Sequence, residues 1–158
     1  MMRLVYSLFL LGVCFSFGLQ KNKEVSFELK YVTTEKSKDS YAITETWKLE
    51  KNALTFSYIN GNKRKNVVPK KLAANLTATD LDSLVKIIRG NKLLVNVPAE
   101  KQSEYQVPYT ALSVTLNVAV GREKGSIYLY ELKNAMGGNT HYQHIEKLRA
   151  ALRKHIKE

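Results

Sequence analysis

The residues best equipped for chemistry are few and scattered. Three histidines, His141, His144 and His155, stand close together near the C-terminus. His141 and His144 are three positions apart, so in a helix their imidazoles share one side and could hold a metal ion together. Glu146 or Glu131 would then supply a third ligand. The pair lacks the internal glutamate of an H-E-x-x-H helix and the neighbouring cysteines of zinc motifs, so a second reading stands beside it: polar histidines flanking a first helical turn. No G-x-S-x-G elbow occurs, and no serine falls in a motif with His and Asp. Glu45 is the one carboxylate that strand alternation places on an apolar face, where burial would raise its pKa. A strand end or a nearby lysine partner would explain it equally well. Asp80 and Asp82 read as helix-terminus residues. Gly137-Gly138-Asn139-Thr140, ahead of a helix, could offer backbone N–H groups to an anion or simply start that helix.

The broadest signal is positive charge. Lys and Arg total 25 against 14 Asp and Glu, a formal net charge of +11 over 158 residues. Lys63, Arg64 and Lys65, followed by Lys70 and Lys71, form a basic cluster with Tyr58 nearby, and these five are the candidate ligand-binding residues. In a chain that meets nucleic acid, such a patch would suggest a nucleic-acid interface. Lysines also keep a sheet edge from pairing with other chains, so a solubility role competes with a binding role.

The first twenty residues shift the balance between those readings. Met1 to Gln20 places Arg3 before an apolar run from Leu4 to Phe17, and polarity returns with Lys21-Asn22-Lys23-Glu24. A charged start, an apolar run of about 7–15 residues and small residues at its exit describe a secretory signal peptide. Ser16-Phe17-Gly18 fits the cleavage pattern, so residues 1–18 are expected to leave and 19–158 to form a single α+β domain. The run is shorter than the roughly 20 apolar residues of a membrane-spanning helix. Leu11-Gly12-Val13-Cys14 resembles a bacterial lipobox, which offers an alternative: a chain anchored through lipidated Cys14. Cys14 is the only cysteine, so a cleaved chain has no thiol nucleophile, disulfide or cysteine-bound zinc. Losing Arg3 lowers the net charge from +11 to +10. Export turns that charge away from nucleic acid and toward an acidic protein or an anionic envelope component. Asn75-Leu76-Thr77 is a glycosylation sequon, relevant in a eukaryotic source.

The elements that must position these residues follow from periodicity. Val25 to Thr33, Tyr41 to Leu49, Leu54 to Tyr58 and Tyr109 to Val120 alternate apolar and polar residues, the pattern of half-buried strands. Asn60-Gly61 predicts a hairpin turn, and Asn62 to Lys71, with Pro69 and its lysines, an edge strand. Gly121 to Gly125 predicts a turn leading into a strand over Ser126 to Leu132. A helix is expected at about 79–89, with Thr79 as N-cap and Gly90 as a left-handed C-terminal residue. A second is expected at about 140–157, with Tyr142, Ile145, Leu148, Leu152 and Ile156 as its apolar stripe and Glu146, Lys147, Arg149, Arg153, Lys154 and Lys157 on its other face. Together these give an α+β fold: an antiparallel sheet of about five to seven strands with both helices packed on one face.

This order is similar in layout to small secreted inhibitor or binding domains, including emfourin-type metalloprotease inhibitors. The likeness rests on the helix start Leu76-Thr77-Ala78-Thr79-Asp80-Leu81-Asp82-Ser83-Leu84 and the hairpin after it, and it transfers no residue roles. The sequence thus favours an exported, non-enzymatic binding or accessory protein, with a small secreted hydrolase as the alternative. No motif calls for a cofactor. The expected contact surface is either the exposed sheet face, carrying Thr44, Thr46, Lys48 and Thr55, or the basic edge from Lys63 to Lys71.

Overall fold

The computed structural model describes residues 24–36, 40–62, 67–99 and 108–156. The expected signal segment with Cys14, and the Lys63-Arg64-Lys65 cluster, lie outside them. Among the described residues the fold is α+β: one seven-stranded, mostly antiparallel sheet with two α-helices. Its strands are β1 (Val25–Lys36), β2 (Tyr41–Glu50), β3 (Ala53–Asn60), β4 (Lys70–Asn75), β5 (Asn96–Val97), β6 (Tyr109–Val120) and β7 (Glu123–Leu132), in the order β4-β3-β2-β1-β6-β7-β5. Helix α1 spans Ala78–Gly90 and α2 spans Thr140–Arg153. Among the described residues, no helix is long and apolar enough to cross a membrane.

Register explains why one face is apolar. Leu29 pairs with Trp47 on β2 and Leu116 on β6, and Leu116 pairs in turn with Ile127 on β7. Cross-strand partners point to the same side, so these residues form one continuous row beneath the helices. Leu29, Leu116 and Ile127 are fully enclosed, as are Leu84 and Ile88 of α1 and Ile145, Leu148 and Leu152 of α2. Burial of each such side chain stabilises the fold by about 1.5–3 kcal/mol relative to exposure. The alternate residues, Lys30, Thr46, Thr115 and Tyr128 in one row, point to the opposite face, which neither helix covers.

Several expectations shift at element ends. Thr77, not Thr79, caps α1: its hydroxyl accepts from the Asp80 N–H, and the Asp80 carboxylate accepts from the Thr77 N–H at 2.9 Å. That reciprocal arrangement satisfies two otherwise unpaired donors, which is why it prevails over a start two residues later. The helix runs through Gly90, and the left-handed residue beyond it is Lys92, at φ 53°. The edge strand is Lys70–Asn75 rather than Asn62–Lys71. Asn60 ends β3, and Gly61 has an ordinary negative φ. Its role is close approach, because a Cβ there would lie 2.7 Å from the Ala42 carbonyl oxygen, which its N–H bonds at 2.8 Å. The β6–β7 turn is only Gly121-Arg122, and Gly125 sits inside β7. The chain from Leu93 to Val95 crosses directly over Gly125, where a Cβ would meet backbone atoms at 2.6–2.8 Å. That crossing delivers β5, which pairs parallel to β7. Helix α2 stops at Arg153, and Ile156 packs on the core from beyond its end.

Candidate functional site

Glu45 is a carboxylate that the sheet pattern leaves on the helix-covered side, in register with Tyr31 and Tyr58, and its surroundings organise the site. Tyr142, Glu146, Arg149 and Arg153 recur at spacings of four, three and four along α2, forming a stripe beside the apolar one. That stripe faces β1 and β2 instead of solvent. Arg149 donates to both Glu45 oxygens, from Nε at 2.7 Å and Nη2 at 2.5 Å, and through Nη1 to Glu146 at 3.2 Å. Its guanidinium lies 4.2 Å from the centroid of the Tyr31 ring. The Tyr31 hydroxyl donates to Glu146 at 2.6 Å, and the Trp47 indole N–H donates to Glu45 at 2.7 Å. The side chains of Glu45 and Arg149 are only 14 % and 16 % exposed.

Burial alone would push the Glu45 carboxyl up, as the sequence suggested. Hydrogen bonds from Arg149 and Trp47 and the charges of Arg149 and Arg153 outweigh it, so the carboxyl is held below its usual range. The expected upward shift is therefore reversed, and the partner is an arginine on a distant helix, not a neighbouring lysine. Burial raises the Tyr31 hydroxyl well above the usual phenol range, and its bond to Glu146 adds to this. Burial opposes the charge on Arg149, but the Glu45 hydrogen bonds more than restore it. Tyr31, Glu45, Trp47, Glu146 and Arg149 are each hydrogen-bonded to another member of the cluster. An ionised carboxylate with two donors on it accepts hydrogen bonds but has no proton to donate. The cluster is therefore built to clamp α2 onto β1 and β2. A second polar link, Arg89 to Glu123, ties α1 to β7.

Two clefts flank the clamp, and Glu45 and Tyr58 line both. The larger, about 600 Å³, lies between β2–β4 and the end of α2, with Trp47, Phe56, Leu72, Lys70 and Arg153 among its walls. The smaller, about 280 Å³, is bordered by Tyr31, Thr33, Lys133 and Tyr142. A shallow depression of about 420 Å³ lies at one end of the uncovered sheet face, near Glu28, Lys48, Asn117, Lys124 and Ser126.

The sequence-derived candidates separate. Lys70 and Lys71 begin edge strand β4 with opposite orientations: Lys70 is in register with Tyr58 on the helix side, and Lys71 with Ser57 on the uncovered side. His141 and His144 both lie in α2. Among the described residues, no three His, Cys, Asp or Glu side chains gather as a metal ion would require, and His141 Nδ1 is enclosed without a hydrogen-bond partner. Asn139 caps α2 by accepting from the Tyr142 N–H at 3.1 Å, so its own side chain occupies the helix start. Thr44, Thr46, Lys48 and Thr55 belong to the uncovered face as anticipated. Arg149 was missed as a site residue because it reads as one more charge on a solvated helix side. The signal that could have found it is the match between a lone carboxylate on an apolar strand face and an arginine bordering an apolar helix stripe. No protein-family model and no curated protein matches the chain.

Proposed function

We propose that this chain is an exported, non-enzymatic binding protein whose contact surface is the uncovered sheet face and whose partner is an acidic protein surface. The observation that carries the reading is the composition of that face. Thr44, Thr46, Ser113, Thr115, Tyr128 and Tyr130 run across its middle, and Lys30, Lys48, Lys71 and Lys124 outnumber Glu28 and Glu50 around them. Hydroxyl-bearing side chains and tyrosines make adaptable, low-entropy contacts, as at binding surfaces. The lysine excess favours encounter with an acidic partner.

Size supports the same reading. Five strands of at least eight residues, at about 4.8 Å between strands and about 3.3 Å per residue, present roughly 600–700 Å² in projection. That approaches the ~800 Å² per partner of a standard interface. Export is the reading of the N-terminal segment, and the closed cluster around Glu45 favours binding over catalysis.

The test is capture from the native extract by the immobilised chain, compared with K30E/K48E/K124E and with a control reversal on the outer side of α2, K147E/K154E. The expected result is an acidic protein retained by the wild type and the control, released by salt, and lost with the sheet-face variant. Equal retention by all three, or retention only of anionic lipid vesicles, would overturn the proposal.

A further inference from the structure

The two strands that end the sheet differ in what they offer. Strand β5 is two residues long, whereas β4 has six and, among the described residues, pairs only with β3. The Leu76 N–H bonds the Asn52 carbonyl at 2.8 Å, one step beyond the Ala53–Asn75 pair. Bonded and open positions alternate along an antiparallel pair. Leu72 and Ala74 therefore bond to β3, and Lys71, Ala73 and Asn75 turn their N–H and C=O groups to the open edge. Exposed apolar surface gathers at the same edge. Among the described residues, the exposed large apolar side chains are Ile59, near the end of β3, and Val67 and Val68, which lead into β4. Such an edge is a template for a further strand, and edge lysines discourage that pairing. Here both lysines of β4 stand at its first two positions, Lys70 and Lys71.

We infer that the further strand is β4 of a second copy of this chain, paired antiparallel about a two-fold axis at Ala73. Only residues with outward backbone groups can exchange bonds, which narrows the choice of register. Centred on Ala73, every outward residue takes part: Lys71 pairs with Asn75 of the second copy, Ala73 with its own counterpart, and Asn75 with Lys71. Lys71 and its counterpart then stand four residues apart along the strands, about 13 Å, beyond the ~8 Å Debye length at physiological ionic strength. A slip of two residues one way halves that separation and sets Asn75 against Pro69, which has no N–H to give. A slip the other way sets Lys71 against Thr77, whose N–H already bonds Asp80. The lysines thus select one register instead of forbidding all. On the helix side Leu72 meets Ala74 of the second copy, and at the axis the small Ala73 side chains permit close approach. The two sheets become one, with both uncovered faces on the same side. This contact uses the edge and not the face, so it can fail while the face assignment stands, and the reverse.

Sedimentation velocity of the purified chain over a wide concentration series tests the pairing. The expected result is a reversible monomer–dimer equilibrium that tightens as salt is raised, because both copies carry a formal charge of +11. Capture of an acidic partner responds to salt in the opposite sense. N75K sets a lysine opposite Lys71 of the second copy at both ends of the pairing and should raise the dissociation constant several-fold. K71E/N75K places opposite charges at both ends and should dimerise at least as tightly as the wild type. Within one chain these two positions are about 13 Å apart along β4, so the recovery comes from across the interface. A73P removes an outward N–H without touching a bond to β3 and should abolish the dimer in a chain whose far-UV circular dichroism is unchanged. If A73P does not fold, the two charge variants decide. The inference is overturned by a monomer at every concentration, by a dimer that N75K or a folded A73P leaves intact, or by K71E/N75K dimerising no more tightly than N75K.

Discussion

Replacing Glu45 with glutamine keeps the shape of the clamp and removes its charge. In the wild type, Arg149 is 16 % exposed and makes two of its shortest hydrogen bonds to Glu45. Breaking a buried ion pair by removing one partner costs about 3–5 kcal/mol, because the other charge is left without compensation. Two features reduce the figure here. Arg149 keeps its 3.2 Å bond to Glu146 and its position over the Tyr31 ring, and a glutamine oxygen can still accept from Trp47. The expected destabilisation is therefore about 2–3 kcal/mol, read as a lower urea midpoint by far-UV circular dichroism with an unchanged slope. The pH dependence is specific. The folded-state pKa of Glu45 lies below its usual 4.5, so its contribution is complete above that value and is lost as pH falls through the lower folded one. The gap between wild type and E45Q should accordingly shrink on acidification below about pH 4.5. An E45Q midpoint within about 0.5 kcal/mol of wild type, or a gap that widens in acid, would refute the clamp.

Other changes test the elements that hold the site. Leu148→Ala, in the enclosed stripe of α2, should cost about 2–5 kcal/mol in urea unfolding. Thr77→Ala removes the hydroxyl half of the α1 capping box and should cost about 1 kcal/mol, with Thr77→Ser largely restoring stability. Gly125→Ala places a Cβ 2.6 Å from the Leu93 carbonyl oxygen, so it should lower the melting temperature and speed amide exchange in β5 and the crossing segment before it. Gly137→Ala, where a Cβ meets nothing, is the matched control and should change exchange there little.

How legible the fold was depended on which physical rule governed each segment. Alternation in Val25–Thr33 and Tyr109–Val120 placed Leu29 and Leu116 on the buried face, because a strand has only two sides and one must be dry. The fold class followed from those strands and two amphipathic helices. Element ends were less legible, since they depend on local competition: Thr77 prevails over Thr79 only because Asp80 returns its hydrogen bond. Gly61 and Gly125 invited a turn reading, as glycines do, yet both are demanded by a neighbouring backbone that only the folded chain brings near. At the site, Glu45 was legible as an anomaly because it breaks an apolar row. Its partner was not, because Arg149 is 104 residues away, and periodicity does not specify which helix flank meets which strand. The two clefts arise from that same meeting, so Phe56 and Arg153 could not be joined from sequence alone.

On the proposed function, the uncovered sheet face is where this protein meets its partner. Hydroxyl-radical footprinting of the chain, free and bound to the acidic protein it retains, tests this most directly by following tyrosine labelling. Tyr128 and Tyr130 lie on the uncovered face, and Tyr58 and Tyr142 lie on the helix side. The bound complex should lose labelling at Tyr128 and Tyr130 while Tyr58 and Tyr142 are unchanged. Protection confined to Tyr58 and Tyr142, with Tyr128 and Tyr130 labelled as in the free chain, would contradict it.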